Sequence, residues 1–228
     1  MNIEKNAMPT HRFVLPFERL PATLPIFPLR NAVVMPGAQL PLNVFEPRYL
    51  NLVFDSLGAE RMIGMVQPDS AAKGEHQPKL YRTGTAARIS SFSETPDGRL
   101  LIVLTGVCRF DIREEIPTTR GYRRVVPDWD RFRDDYELSG PVPGDPGKIM
   151  ELLKEYFQRK NLNPNWPVLT QLPLPVLVNV LITQLPFDVP ERQALVETVS
   201  IEERYAKLLG LLEFEMVAAR VGTDAKPH

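Results

Sequence analysis

Residues Leu24–Leu57, LPIFPLRNAVVMPGAQLPLNVFEPRYLNLVFDSL, decide how this chain folds. Proline, aromatic and aliphatic residues crowd the span, and it ends in a marked helix. From Pro47 onward, Tyr49, Leu50, Val53, Phe54 and Leu57 fall on one helical face. Pro47 suits the first helical position and Gly58 the stop. Before the helix, Ala32–Met35 and Gln39–Phe45 are short apolar runs separated by Pro36 and Gly37, which predicts two strands. The stretch holds no nucleophile–base set and no metal spacing, so it reads as built to fold and to hold something.

Working outward, strands continue. Met62–Val66 is a third apolar run. Thr85–Phe92 and Arg99–Val107 flank Thr95-Pro96-Asp97-Gly98, a turn with a φ-setting proline and a permissive glycine, which predicts a hairpin. Phe110, Ile112 and Ile116 continue a period-two face after Gly106, a candidate bulge. Tyr122–Val126 closes the strand region.

Beyond that, the period changes to 3.6. Ile149, Leu152, Leu153, Tyr156 and Phe157 form one stripe, and Leu174, Leu177, Val178, Leu181, Ile182 and Leu185 a second. A short helix from Pro190 buries Leu195. The last helix runs from Ser200, with Ile201, Tyr205, Leu208, Leu209, Leu212 and Met216 on one side and capping-box spacing at Ser200 and Glu203. The expected organisation is an extended arm over Met1–Pro21, a β domain over Ala22–Pro127, an acidic linker over Asp128–Pro146, a helical domain over Gly147–Val221, and a flexible tail over Gly222–His228. Met8 is an alternative start.

The chain has 228 residues, 43% hydrophobic and 24% charged, an ordinary composition for a folded protein. Lys plus Arg number 27 against 28 Asp plus Glu, so no global charge draws it to nucleic acid or an anionic membrane. No apolar run is long enough for a membrane helix, and no secretion signal is apparent. The cytoplasm is the expected location.

Candidate chemistry is sparse. His11, His76 and His228 stand in no metal-ligand spacing, and no G-x-S-x-G elbow accompanies them. No metal and no cofactor is expected. Cys108, the single cysteine, lies in the run LLIVLTGVCRF and reads as a buried thiol. Gly144-Asp145-Pro146-Gly147-Lys148 lacks phosphate-loop spacing and reads as a helix cap. The adjacent acids Asp134 with Asp135, Glu114 with Glu115, and Glu202 with Glu203 read as solvated faces. Arg123 and Arg124 beside Tyr122 read as a strand with one solvated arginine face, or as a nucleic-acid contact. Phe45, Glu46, Arg48 and Tyr49 carry two readings: a helix-start ion pair matched to the helix dipole, or the rim of a peptide-binding groove that Arg30 joins.

Three blocks carry a resemblance. LPIFPLR, the Met-Pro step, the Pro-Leu pair and FEPRY come first. GTAARI, the PDGR turn and LTGVCRF follow. LPFDVPERQALVETVSIEERYAKLLGLLEFEM ends the series. Together they resemble the amino-terminal domain of the Lon protease family, over roughly Leu24 to Ala219. The resemblance implies an α+β fold: a PUA-like β pseudo-barrel with one inserted helix, then a C-terminal α-helical bundle. It implies a non-enzymatic module that binds unfolded polypeptide or a protein partner, as an adaptor in protein quality control, since no Walker motif or Ser-Lys dyad appears in the sequence. Related barrels bind RNA, which makes an RNA-binding PUA-like protein the alternative.

Overall fold

The computed structural model describes residues 15–69, 78–136 and 144–223. Strand β1 (Leu24–Pro28) is followed by β2 (Gln39–Val44), helix α1 (Pro47–Leu57), β3 (Met62–Val66), β4 (Thr83–Glu94), β5 (Leu100–Ile116) and β6 (Arg123–Asp128). β1 runs parallel to β3, and the other pairings are antiparallel. The sheet order is β2-β5-β4-β3-β1-β6, and β6 also pairs with β5, so five strands close a ring. The length of β5 makes closure possible. One edge follows β4, while the other is shared by β2 over Leu100–Thr105 and β6 over Asp111–Ile116.

The register of β4 on β5 slips between Ala86 and Ala87, opposite Cys108 and Gly106. Such a bulge re-aims the strand. Gly106 also admits a close crossing: a Cβ there would lie 2.1 Å from the Met35 carbonyl oxygen. Here the chain of Met35-Pro36 bridges to Gly106, and Gly106 N donates to Ala38 O at 2.9 Å.

Two expectations from the opening stretch change. Ala32–Met35 is not a strand. After Asn31, with φ of 60°, the chain leaves the sheet and threads between strands and helices. The alternation persists without a ladder: Val33 and Met35 join the helical core, Val34 the strand core. Met35 N donates to Thr183 Oγ1 at 3.0 Å in place of a neighbouring strand. The buried face of α1 is Tyr49, Leu52, Val53 and Ser56, and Phe54 is 55% exposed. At 100° per residue Phe54 lies well off the Tyr49–Val53 line, whereas Leu52 and Ser56 lie beside it.

Two short 3₁₀ segments, Phe17–Arg19 and Asp130–Tyr136, lie within the stretches read as arm and linker. They hold each other: Phe17 meets the Tyr136 ring edge-on at 5.6 Å, and Tyr136 Oη donates to Leu15 O. Phe132 is fully buried. Residues 1–14, 137–143 and 224–228, with Met8, His11 and His228, lie outside the described residues, as does His76.

Five helices follow: α2 (Pro146–Arg159), α3 (Trp166–Gln171), α4 (Leu174–Gln184), α5 (Val189–Glu197) and α6 (Ile201–Thr223). Asp145 caps α2 by accepting from Gly147 N at 2.8 Å, with Pro146 in the first turn. A capping box between Asp188 and Glu191 starts α5. The stripes Ile149–Phe157, Leu177–Leu185 and Tyr205–Met216 share one core, together with Leu195.

Strands and helices are joined through buried polar groups. Asp135 was read as half of a solvated acidic pair, but it is 4% exposed. It accepts from Arg109 N, Nε and Nη2 at 2.9, 2.9 and 2.7 Å. Arg109 also donates to the carbonyls of Val196, Thr198 and Val199. Arg204 donates to Thr198 O, Val199 O and Asn179 Oδ1, and Arg131 donates to Glu197 O. Three guanidiniums thus take up the carbonyls at the C-terminal end of α5, where the helix dipole is negative. Burial and the neighbouring Arg109 charge pull the Arg204 pKa down to about 9. Arg204 thus stays charged at neutral pH, beside Arg109 and a single carboxylate.

Removing that carboxylate leaves two buried cations without a counter-charge. Asp135→Ala is expected to lower unfolding stability by about 3–5 kcal/mol, read by urea titration. Asp134→Ala, at an exposed neighbour, should stay within about 0.5 kcal/mol.

Candidate functional site

The β2–α1 turn is held from beneath. Pro47 fixes the first helical position of α1, and Tyr49 turns inward to stack on Phe27 at 4.0 Å with an interplanar angle of 11°. Its hydroxyl donates to Pro28 O at 3.3 Å. Burial pushes the Tyr49 pKa up, so the ring is a neutral support. Farther along α1, Asp55 accepts two bonds from Arg120 at 2.9 Å and one from Tyr122 at 2.9 Å. The Arg120 hydrogen bonds hold the Asp55 carboxyl below its usual range. This pins the loop before β6 against α1 and brings Gly121, at φ of 83°, close to Arg48 Cβ.

On that support the sequence candidates separate. Glu46 and Arg48 form an ion pair at 2.8 Å, both half-exposed, and Arg48 lies over the Tyr49 ring at 4.6 Å. Glu46 makes no side-chain cap bond to the helix; its carboxylate is turned to Arg48. Phe45 is 61% exposed. Arg30 is exposed in the turn after β1, two residues beyond Pro28, which accepts from Tyr49. Phe45, Glu46 and Arg48 therefore face solvent at one turn, while Tyr49 belongs to the core beneath them.

Pairing of β2 with β5 adds residues that the sequence alone did not bring to this place. Asn43 lies opposite Leu101, and Pro41 opposite Val103. Two positions past Asn43, Phe45 falls on the same outward face, where the Arg99 guanidinium lies 5.8 Å from its ring centre. Leu101 is 46% exposed. On β4, Ser93 and Ser91 continue the rows of Leu101 and Val103. Phe92, 53% exposed, lies in the Ile102 row on the reverse face. The result is an apolar strip of Phe45, Leu101, Val103 and Pro41, edged by serines, Asn43, Arg99 and the Glu46–Arg48 pair. Leu100-Leu101-Ile102-Val103-Leu104 reads as one continuous apolar run, which hides its outward members. Only the β2–β5 register identifies them.

This strip can hold apolar and aromatic side chains, with arginine available for their π-faces. It contains no nucleophile. Among the described residues no three His, Cys, Asp or Glu side chains group closely enough to hold a metal ion, and no helix is long and apolar enough to cross a membrane. Cys108 is fully buried, and its thiol faces Phe132 O at 3.5 Å. Burial, reinforced by the Asp135 charge, drives its pKa far up.

Two outcomes follow. Native Cys108 should react slowly with a thiol reagent, without the rise that an exposed thiol shows as pH passes about 8.5; in denaturant the rise should return. Glu46→Gln breaks an ion pair that is largely in solvent, so thermal unfolding should register a loss of no more than about 1 kcal/mol.

Comparison with known proteins places this architecture. The family model of the ATP-dependent protease La (LON) substrate-binding domain matches residues 23–213. The Lon protease of Parabacteroides distasonis is 27% identical over 92% of this chain and 26% of its own length. The Lon protease of Roseiflexus castenholzii is 28% identical over 91% of this chain and 26% of its own. The chain thus spans about a quarter of the length of the curated relatives it matches. A Lon N-terminal domain protein from Xanthomonas campestris superposes with a TM-score of 0.57 at 25% identity, covering 82% of this chain and 97% of that one. The N-terminal domain of the Mycobacterium avium complex Lon protease shares the fold, with a TM-score of 0.56 at 15% identity over 83% of this chain and 95% of its own. Two of the three arginines that take up the carbonyls at the end of α5 come from the blocks that carry the resemblance, Arg109 from LTGVCRF and Arg204 from IEERY. This chain belongs to the family of LON substrate-binding domains.

Proposed function

We propose that the chain is a recognition module for protein substrates, without catalysis of its own, which grips apolar segments of unfolded polypeptide. The observation that carries this reading is the outward strip in which Phe45 is 61% and Leu101 46% exposed on a rigid strand face. Exposed aromatic and aliphatic side chains on a pre-formed support lose little entropy on binding. Arg99 and the Glu46–Arg48 pair supply orientation at the rim. The family of substrate-binding domains supports the same reading. An adaptor role in protein quality control follows from it. The closed ring reads as a PUA-like pseudo-barrel, and α2–α6 as the bundle docked on it.

The mode of capture is through side chains on the face. Adding a strand at the free edge of β2 is disfavoured, because Pro41 has no N–H to offer and Gln39 O already accepts from Gln184 at 2.9 Å. The RNA alternative has less support. Arg123 donates to Glu115 and to Pro78 O, and Arg124 to Thr23 Oγ1, so both candidate arginines have partners within the protein.

The test is binding of a fluorescent unfolded apolar peptide, with thermal unfolding measured on the same samples. Phe45→Ala and Leu101→Asp are expected to weaken capture by about tenfold or more while stability stays within about 0.5 kcal/mol. Unchanged binding per folded molecule in both variants would remove this strip as the site.

A further inference from the structure

The far half of β4 has a neighbour on one side only. β3 pairs with β4 from Thr85 to Arg88. Past that point the register of β4 on β5 shifts between Ile89 and Ser91. β4 then runs on to Glu94 with β5 on one side and, among the described residues, no strand on the other. Ser90 to Glu94 are all exposed. The bonds at the two ends of this stretch fix where its backbone groups point. Ile89 N turns away from β5 and donates to Arg61 O at 2.8 Å, whereas Thr95 N, at the hairpin tip, donates across to Arg99 O at 2.9 Å. Antiparallel pairs alternate between bonded and non-bonded. Ser91 and Ser93 therefore bond to β5, while Phe92 and Glu94 turn their N–H and C=O groups to the open edge.

From this geometry we infer that the Ser90–Glu94 edge of β4 is a strand-addition site for the backbone of an extended, apolar segment of unfolded polypeptide. An unpaired strand edge is a template for another chain, and native sheets blunt it with proline, lysine or brevity. The β2 edge is blunted in this way, by Pro41 and by the Gln184 bond to Gln39 O. Ser90-Ser91-Phe92-Ser93-Glu94 holds no proline and no lysine, and its one charge sits at the tip. The open groups recur every second residue, about 7 Å apart, a spacing that an extended backbone matches. Side chains fit on both faces. On the outward face Ser91 and Ser93 stand in the rows of Val103 and Leu101. They are small, so a large side chain on the added strand lies across them and reaches the strip. On the reverse face Phe92, 53% exposed, offers an aromatic neighbour to the alternate residues. The occupant is the polypeptide of the proposed function, on which this inference rests; the edge holds its backbone where the strip holds its side chains.

Amide hydrogen exchange, with and without an unfolded apolar peptide, tests the edge. In the free chain β5 protects the Ser91 and Ser93 amides, and those of Phe92 and Glu94 exchange fast. With peptide bound, Phe92 and Glu94 are expected to slow by about tenfold or more. The same peptide N-methylated at alternate residues keeps its side chains and loses those donors, and should bind about tenfold or more weakly. Glu94→Pro removes an edge N–H and no bond to β5, so it should weaken the unmodified peptide similarly, with Glu94→Gln, the charge control, unchanged. Bound peptide that leaves the Phe92 and Glu94 amides fast, or an N-methylated peptide that binds equally well, would overturn the inference and leave the side-chain strip standing. Edge protection that persists at unchanged affinity in Leu101→Asp would support the edge and remove the strip. A peptide that fails to bind at all would overturn both.

Discussion

The structure depends on how the carbonyls at the C-terminal end of α5 are satisfied. A helix end leaves carbonyls without intrahelical partners, and this one is buried against the strand ring. The carbonyls of Val196, Thr198 and Val199 accept from arginine side chains. Arg109 reaches them from β5 and Arg204 from α6. Asp135 holds the Arg109 fork from three sides. Strand ring, 3₁₀ segment and helices therefore meet at one charged knot. Its cost is desolvation: two cations share one carboxylate, which is tolerable because neutral carbonyls and Asn179 Oδ1 complete the coordination. Asn179 in turn donates to Pro36 O at 2.9 Å, which fixes the Met35–Pro36 crossing against Gly106.

That rigidity reaches the candidate site. The Pro36 crossing precedes β2, and β2 delivers Phe45 to the start of α1. Beneath the turn, the Phe27–Tyr49 stack and the Asp55–Arg120–Tyr122 bonds set the position of α1. The exposed strip is thus anchored at both ends, by the sheet through Asn43 and Leu101 and by the helix through Pro47. The reading of FEPRY as a helix-start pair and its reading as a rim describe different atoms of the same segment. The Glu46–Arg48 pair forms at the helix start, while Phe45 projects outward beside it.

What the sequence made legible was local. β3 runs from Met62 to Val66 as its apolar run implies, and the Thr95–Gly98 turn joins β4 to β5, with Gly98 at φ of 76°. Asp145 caps α2, and α6 buries the stripe from Tyr205 to Met216. What it hid was non-local. β1, which holds two prolines in five residues, was not anticipated. In the fold Pro25 lies opposite Arg124 on β6 before pairing with β3 begins at Ile26, and Pro28 ends the strand. Asp135 and Arg109 carry charge, so each alone reads as surface; only their meeting across 26 residues makes burial possible. The family blocks pointed to Arg109, Gln193 and Arg204 without revealing that all three are buried. Phe45, Glu46, Arg48 and Tyr49 were legible as neighbours at one turn, while Arg30 stands in a separate turn after β1; the inward course of Tyr49 and the addition of Leu101 and Arg99 required the structure.

Polypeptide recognition on the β2–β5 face is the central claim, and residue-resolved mapping addresses it most directly. Titrating an unfolded apolar peptide into isotopically labelled chain, with amide shifts followed by nuclear magnetic resonance, reports the contact surface without any substitution. The account predicts perturbations centred on Asn43, Phe45, Arg99, Leu101 and Val103, with the Arg109–Asp135 knot undisturbed. Perturbations centred on the α5–α6 cleft or on Arg123 and Arg124, with the β2–β5 face silent, would contradict it.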